Sequence, residues 1–285
     1  MRTFTAVTLL ASGGYRQYPL PGIDVVSGYA RYSSRIHSRS FLGVPVDIPR
    51  PEHRQLDYGV RLEWGREGAA LLAAECAVVV VIDVLSFSTA VDVAVGRGAA
   101  VLPLRSAERD KAVPPDVVRA GPRRGPGPSL SPASLTGLPA GTRLALPSPN
   151  GATLCAAVAA TGAVLLAGCL RNASAVAAAA QAAGGPVGIV PAGERWPDDT
   201  MRVAVEDALG AGAIAAALPG RSPEAELAAA QFAAARDRGL GEVLAATSSG
   251  RELRADGFAA DVELAAALDT STAVPRLRDG FLQAA

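Results

Sequence analysis

Short, continuous apolar runs alternate with segments of helical periodicity along most of the chain. The apolar runs predict five strands, over residues 76–84, 99–104, 143–148, 163–169 and 186–193. Runs that are apolar at every position are typical of strands buried on both faces of a sheet. Between and after the strands, polar and apolar spacing predicts helices over residues 68–74, 86–98, 105–112, 152–160, 172–183, 201–218, 223–237, 239–246, 248–255 and 259–268.

This alternation predicts the fold class and the division of the chain. Strands that alternate with helices indicate an α/β domain, a three-layer α/β/α arrangement with a largely parallel or mixed sheet and a helical C-terminal region. We assign residues 54–285 to this domain and expect a long Pro/Gly-rich loop over 121–142. Residues 1–53 lack periodicity and are rich in Gly, Pro, Ser, Tyr and Arg, so we predict a poorly ordered N-terminal extension.

The polar residues that follow the predicted strands are the candidate functional residues. In open α/β sheets, ligands bind outside the carboxyl ends of the strands. Four segments occupy such positions: "DVLSFST" (83–89), "PSPNGAT" (147–153), "GCLRNAS" (168–174) and "PAGERWPDD" (191–199).

Asp83 ends the most hydrophobic of these strands. A buried carboxylate is costly unless a cation or hydrogen-bond donors meet it. It is either a metal ligand or a partner for the amides that begin the next helix. Ser86, Ser88 and Thr89 lie in the first turn of that helix, where they can cap it, bind an oxyanion, or do both.

Asn150, Gly151 and Thr153 repeat this strand, turn and helix arrangement. Gly151 lets a ligand approach the backbone closely, and free amides at a helix start favour phosphate or sulfonate. An ordinary turn is the alternative, because Asn-Gly pairs are common in turns.

Acidic and basic side chains complete the candidate set. Glu194 follows the fifth strand, and Glu206 and Asp207 interrupt an otherwise apolar helix. At least one of the latter two should face a ligand or metal, unless one is solvent-exposed and the other forms a salt bridge. Arg123, Arg171 and Arg195 are either bidentate anion ligands or surface residues.

Composition excludes several classes of function. The formal net charge is zero, with 27 basic and 27 acidic residues, which argues against nucleic-acid binding. No stretch reaches the roughly 18 apolar residues of a membrane helix without a charge or a breaker. Three isolated cysteines suggest a reduced, cytoplasmic protein. The only histidines are His37 and His53, in the extension, so the chemistry that remains is that of carboxylates with a hard cation such as Mg²⁺.

Taken together, the motifs resemble those of the Mg²⁺-dependent 2-phosphosulfolactate phosphatases. The matching segments include "VVVIDVLSFSTAV", "PSPNGATL", "AGCLRNASAVA", "PAGERW" and "VEDALGAGAI", and the resemblance covers about residues 55–280. It implies a three-layer α/β domain that needs Mg²⁺ and hydrolyses phosphosulfolactate to sulfolactate and phosphate, as in coenzyme M biosynthesis. Two positions depart from the family pattern: Ser86 stands where an Arg is expected, and Pro122 where a Glu is expected.

We therefore hypothesise a Mg²⁺-dependent phosphomonoester hydrolase that acts on a small phosphorylated or sulfonated hydroxy acid. Asp83, with Glu206 and Asp207, is the predicted metal site. Glu194 would orient the attacking water, with a covalent intermediate on Asp83 or Ser88 as the alternative. The predicted substrate-binding residues are Ser86, Thr89, Arg123, Asn150, Gly151, Thr153, Arg171 and Arg195. The rival hypothesis is a catalytically silent protein that binds a small anionic metabolite, and the sequence leaves homo-oligomerisation open.

Overall fold

The computed structural model describes residues 50–285 of the chain. The predicted N-terminal extension therefore lies outside the described residues, apart from its last few positions. Those positions belong to a 3₁₀ helix, Pro51–Arg54, which runs across the predicted boundary between residues 53 and 54. The boundary itself stays a prediction.

The described residues contain eleven strands and nine α-helices. The strands are β1 (Val60–Leu62), β2 (Val78–Ile82), β3 (Ala100–Arg105), β4 (Val117–Arg119), β5 (Arg143–Ser148), β6 (Val164–Gly168), β7 (Val187–Pro191), β8 (Glu194–Arg195), β9 (Met201–Arg202), β10 (Pro275–Arg278) and β11 (Phe281–Ala284). The helices are α1 (Gly65–Glu75), α2 (Phe87–Gly96), α3 (Gly151–Ala159), α4 (Ala173–Ala183), α5 (Val205–Ala216), α6 (Pro223–Arg238), α7 (Leu240–Ala246), α8 (Ser248–Ala255) and α9 (Ala259–Ala266).

Nine of the described strands form one sheet, in the order β1-β7-β2-β6-β10-β11-β3-β5-β4. Strands β1, β7, β2 and β6 form one parallel half of the sheet, and β3, β5 and β4 form the other. The antiparallel hairpin β10–β11 lies between β6 and β3 and joins the two halves. The sheet is therefore mixed. The hairpin β8–β9 forms a second, two-stranded sheet.

Both faces of the sheet are covered by helices, which confirms the predicted three-layer α/β/α arrangement. Along β2, Val78, Val80 and Ile82 pack into one apolar core, with helices α4 to α7 and α9. Val79 and Val81 pack into a second core on the opposite face, with α1, α2 and α3. This alternation explains why every residue of β2 is apolar.

Several predicted elements differ from the structure. The helix predicted over 105–112 is wrong, because only a 3₁₀ turn forms, Ser106–Glu108, in a largely exposed segment without an apolar face. Helix α5 begins at Val205 rather than at 201, since Met201–Arg202 pairs with β8. Helix α4 begins at Ala173 rather than at 172, and the side-chain oxygen of Asn172 accepts from the amide of Cys169.

The C-terminal region is helical through α9 and then returns to the sheet as β10 and β11. None of the helices within residues 50–285 combines the length and hydrophobicity needed to cross a bilayer.

Candidate active site

The turn after β2 is built around the buried Asp83. Its amide donates to Ser88 Oγ, and its carbonyl accepts from the Ser88 amide, each at 2.7 Å. Its Oδ1 atom accepts from the amide of Phe87 at 3.2 Å, at the start of α2. The carboxylate therefore serves as the partner of the helix N-terminus, the structural role considered for it above.

Asp83 also binds the turn after β5. Its Oδ2 atom accepts from the Gly151 amide at 2.8 Å, and Ser148 Oγ lies 3.5 Å away. A Cβ atom at position 151 would overlap the Phe87 ring and lie 2.9 Å from Asp83 Oδ2, so only glycine fits there. The Gly151 amide, predicted to be free for an anion, is thus used by Asp83.

The turns after β2 and β5 meet at Asp83, although the two strands are far apart in the sheet. Strands β6, β10, β11 and β3 lie between them. Helix α3, which begins at Gly151, contacts both α1 and β2, so the chain after β5 returns across the sheet face to Asp83. The site therefore joins the two parallel halves of the sheet.

Asp207 connects the turn after β7 to the turn after β2. Its Oδ1 atom accepts from the Val84 amide at 2.7 Å, and its Oδ2 atom accepts from the Gly193 amide at 2.9 Å. Burial, reinforced by the charges of Asp83 and Glu206, raises the pKa of the Asp207 carboxyl well above its usual range. Asp207 therefore connects the loops after β2 and β7, and its role as a metal ligand stays a prediction.

Glu194 lies beside Asn150, whose Nδ2 atom donates to Glu194 Oε2 at 3.0 Å. Burial is the main cause that raises the pKa of Glu194 to about 7, and the nearby Asp83 charge adds to it. The hydrogen bond from Asn150 opposes this rise. A carboxyl that titrates near neutrality is suited to proton transfer.

Arg123 supplies the positive charge. Its Nη2 atom donates to Ser86 Oγ at 3.0 Å, and its Nη1 atom donates to Asp261 at 2.6 Å. A guanidinium is therefore present beside Ser86, the position where the family pattern would place an arginine.

A cavity of about 240 Å³ brings these groups together. Five of the predicted residues line it: Asp83, Ser86, Arg123, Asn150 and Glu194. Sequence reasoning missed the opposite wall, formed by Ser249, Glu252, Leu253 and Asp256 of α8 and its end. Their helical pattern gives no signal of function, since it does not show that α8 packs beside the cavity.

The other predicted hydroxyl residues are not part of the cavity lining. Ser88 and Thr89 are fully buried, and Thr89 Oγ1 donates to the Val84 carbonyl at 2.7 Å. Thr153 Oγ1 donates to the Pro149 carbonyl at 2.6 Å. Each hydroxyl therefore stabilises a turn.

Two predicted arginines point to other partners. The Nε atom of Arg171 donates to Asp92 at 2.8 Å, in a largely buried pair beneath α9. Arg195 Nη1 donates to the carbonyl of Asp199 at 2.7 Å in the β8–β9 hairpin. Neither lines the cavity, so their roles in substrate binding stay predictions.

Asp83 and the carboxylates around it are the candidate ligands for a metal ion. Burial raises the pKa of Asp83, and the charge of the buried Glu206 adds to this rise. Nevertheless, no group of three or more His, Cys, Asp or Glu side chains within residues 50–285 is arranged to hold a metal ion. Mg²⁺ commonly takes one or two protein carboxylates, with water and phosphate oxygens as its other ligands. Asp83 with Glu206 or Glu194 fits such a site, whereas a cage made of protein ligands alone does not.

Comparison with known proteins identifies the family. The family model described as 2-phosphosulpholactate phosphatase matches residues 69–280. No curated protein matches the chain significantly. The matched region contains β2, β5 and β7, the turns that follow them, and Arg123. Because the model matches well over half of the chain, the protein belongs to the 2-phosphosulpholactate phosphatase family.

Proposed function

We propose that the protein is a Mg²⁺-dependent phosphomonoester hydrolase that converts 2-phosphosulfolactate to sulfolactate and phosphate. The observation that carries this proposal is the meeting of Asp83, Glu194 and Arg123 around one small cavity. The cavity thus combines a buried carboxylate, a carboxyl that titrates near neutrality and a cation. Family membership supports the phosphatase chemistry.

Asp83 and Glu206 would hold Mg²⁺, with Glu194 as a further candidate ligand. When bound, the ion would neutralise charge on the phosphoryl oxygens. The need for a cation is supported by the charges at the cavity, where Arg123 is the only basic side chain in the described lining and Asp83, Glu194, Glu252 and Asp256 are acidic.

Glu194 is the candidate general base. In its ionised form it would take a proton from a water molecule as that water attacks phosphorus. The new P–O bond forms while the ester P–O bond breaks, and the leaving alkoxide takes a proton from solvent to become the hydroxyl of sulfolactate. Asn150 would hold the Glu194 carboxyl in place through its hydrogen bond.

The geometry favours attack by water over a covalent intermediate. Ser88 is fully buried and its Oγ atom accepts the Asp83 amide, so it is poorly placed as a nucleophile. The two Asp83 oxygens accept from Phe87 and Gly151, which limits attack by either oxygen.

The proposal is tested by turnover of phosphosulfolactate, with a panel of other phosphorylated hydroxy acids, in the presence of Mg²⁺ or of a chelator. We expect Mg²⁺-dependent release of phosphate, and loss of that release in Asp83→Asn. Asp237→Asn is the matched control, because Asp237 lies in an exposed ion pair with Arg236. Absence of turnover by folded protein with every substrate would refute the catalytic proposal.

A catalytically silent binding protein is the second candidate. It is favoured by one observation, that the Gly151 amide is engaged by Asp83 instead of being free for a phosphoryl group. Calorimetry separates the two candidates, since binding of phosphosulfolactate without turnover would support the silent protein.

A further inference from the structure

We propose that Asp261 is a positioning residue that fixes the Arg123 guanidinium as the binding site for the substrate's second acidic group. That group is a sulfonate or carboxylate, distinct from the phosphate. The inference rests on the proposed function and extends it, because it names a residue that decides which phosphomonoesters the cavity accepts.

Asp261 is held rigidly in the first turn of α9, outside the cavity lining. Its side chain is 1% exposed. Its Oδ1 atom accepts from Ser131 Oγ at 2.6 Å and from the Ala133 amide at 3.0 Å. Its Oδ2 atom accepts from Arg123 Nη1 at 2.6 Å. Three donors therefore set the orientation of the carboxylate, which in turn sets that of the guanidinium.

Arg123 depends on such support, because it comes from the loop between β4 and β5. Its guanidinium carbon lies 5.2 Å from the centre of the Phe258 ring. Its Nη2 atom is 3.0 Å from Ser86 Oγ. A guanidinium has five N–H donors, so donors remain for a ligand after these contacts. The Arg123 side chain is 22% exposed and is thus accessible from the cavity.

The charges around the cavity indicate which group Arg123 binds. Asp83, where the proposed cation would bind, is the expected place of the phosphoryl group. Arg123 is the only basic side chain among the described lining residues, so it is the one donor of positive charge for any further acidic group. Without Asp261, the guanidinium could turn towards the acidic wall formed by Glu252 and Asp256.

The test compares two substrates that share the phosphoryl chemistry. Phosphosulfolactate carries further acidic groups, whereas p-nitrophenyl phosphate carries none. We expect Asp261→Asn to lower kcat/KM more for phosphosulfolactate than for p-nitrophenyl phosphate. The ratio of the two kcat/KM values should fall by about tenfold or more, mostly through KM for phosphosulfolactate. Ser131→Ala should change the same ratio in the same direction by less. The control, Asp237→Asn, should leave the ratio at its wild-type value.

An equal loss of activity towards both substrates would identify Asp261 as a structural residue only and would overturn the proposal. The double variant gives an independent check. In an Arg123→Ala background, Asp261→Asn should change the ratio no further, and a further change would also overturn it. If Asp261→Asn does not fold, Ser131→Ala decides by the same ratio.

Failure of the proposed function is recognised separately. If the wild-type protein hydrolyses neither substrate, calorimetry with sulfolactate replaces the kinetics. Binding that Asp261→Asn weakens by about tenfold or more would support the positioning role alone. Equal affinity of the two proteins, or no binding by the wild type, would overturn it.

Discussion

The backbone amide of Gly151 donates to Asp83 Oδ2 at 2.8 Å, although four strands separate β5 from β2 in the sheet. One carboxylate thus closes the turn in which it lies and holds a second turn that comes from the other half of the sheet. Site geometry and packing between the two halves are coupled through this hydrogen bond.

Gly151→Ala should destabilise the protein and reduce its activity. The added methyl group would overlap the Phe87 ring and crowd Asp83. We expect a loss of about 1–3 kcal/mol in the free energy of unfolding, measured in urea. Gly241→Ala is the matched control, because nothing lies within 4 Å of its Cβ position in α7, and it should be neutral or stabilising. A Gly151→Ala protein as stable as the wild type would contradict the close approach.

Glu194→Gln should alter the pH dependence of stability of the metal-free protein. The pKa of Glu194 is raised to about 7 from an ordinary value of 4.5. Its contribution to stability is therefore fully present below pH 4.5 and is lost as the pH rises through about 7. The variant should lack this loss, so its stability relative to wild type should rise over that interval and level off above it.

Urea unfolding at a series of pH values, with a chelator present, measures this difference. Glu226→Gln is the control, since the Glu226 side chain is 60% exposed. A stability difference between Glu194→Gln and the wild type that is constant with pH would contradict the prediction.

Mg²⁺ should raise the melting temperature more at pH 8 than at pH 5. Burial raises the pKa of both Asp83 and Glu194, so the carboxylates that would bind the ion are protonated to a greater extent in acid. A ligand that binds only the folded state stabilises it by mass action. Thermal unfolding with and without Mg²⁺ tests this. A shift of the same size at both pH values, or an undiminished shift in Asp83→Asn, would argue against a metal site at Asp83.

Asp207→Ala should loosen two loops at once. It would leave the buried amides of Val84 and Gly193 without their acceptors. The expected cost is roughly 1–3 kcal/mol for each amide, partly offset by relief of repulsion with Asp83 and Glu206. Denaturant unfolding measures the loss, with Asp237→Ala, in an exposed ion pair, as the control. Unchanged stability would refute the role of Asp207 in connecting the two loops.

The sequence was sufficient to predict the central strands and the turns that carry Asp83, Asn150 and Glu194. Those strands are buried on both faces, so their composition is unambiguous. Strands β10 and β11 were missed because they are short and carry Arg276, Arg278 and Gln283 among their apolar residues.

The role of each polar side chain was harder to predict than its position. Arg171 and Arg123 looked equivalent in the sequence, but Arg171 is paired with Asp92 whereas Arg123 lines the cavity. The partners that decide this, Asp92 and Asp261, are distant along the chain from the arginines they bind. Such pairings depend on tertiary packing and leave no local pattern.

The hairpin β10–β11 has a consequence for folding during synthesis. It follows every other described strand along the chain, yet it lies between the two parallel halves of the sheet. While residues 275–284 are still within the ribosome, β6 and β3 each expose an unpaired edge, and the two parallel halves are not yet hydrogen-bonded into one sheet. Completion of the sheet is therefore a late, long-range step, and the nascent chain has two open strand edges that a chaperone could shield.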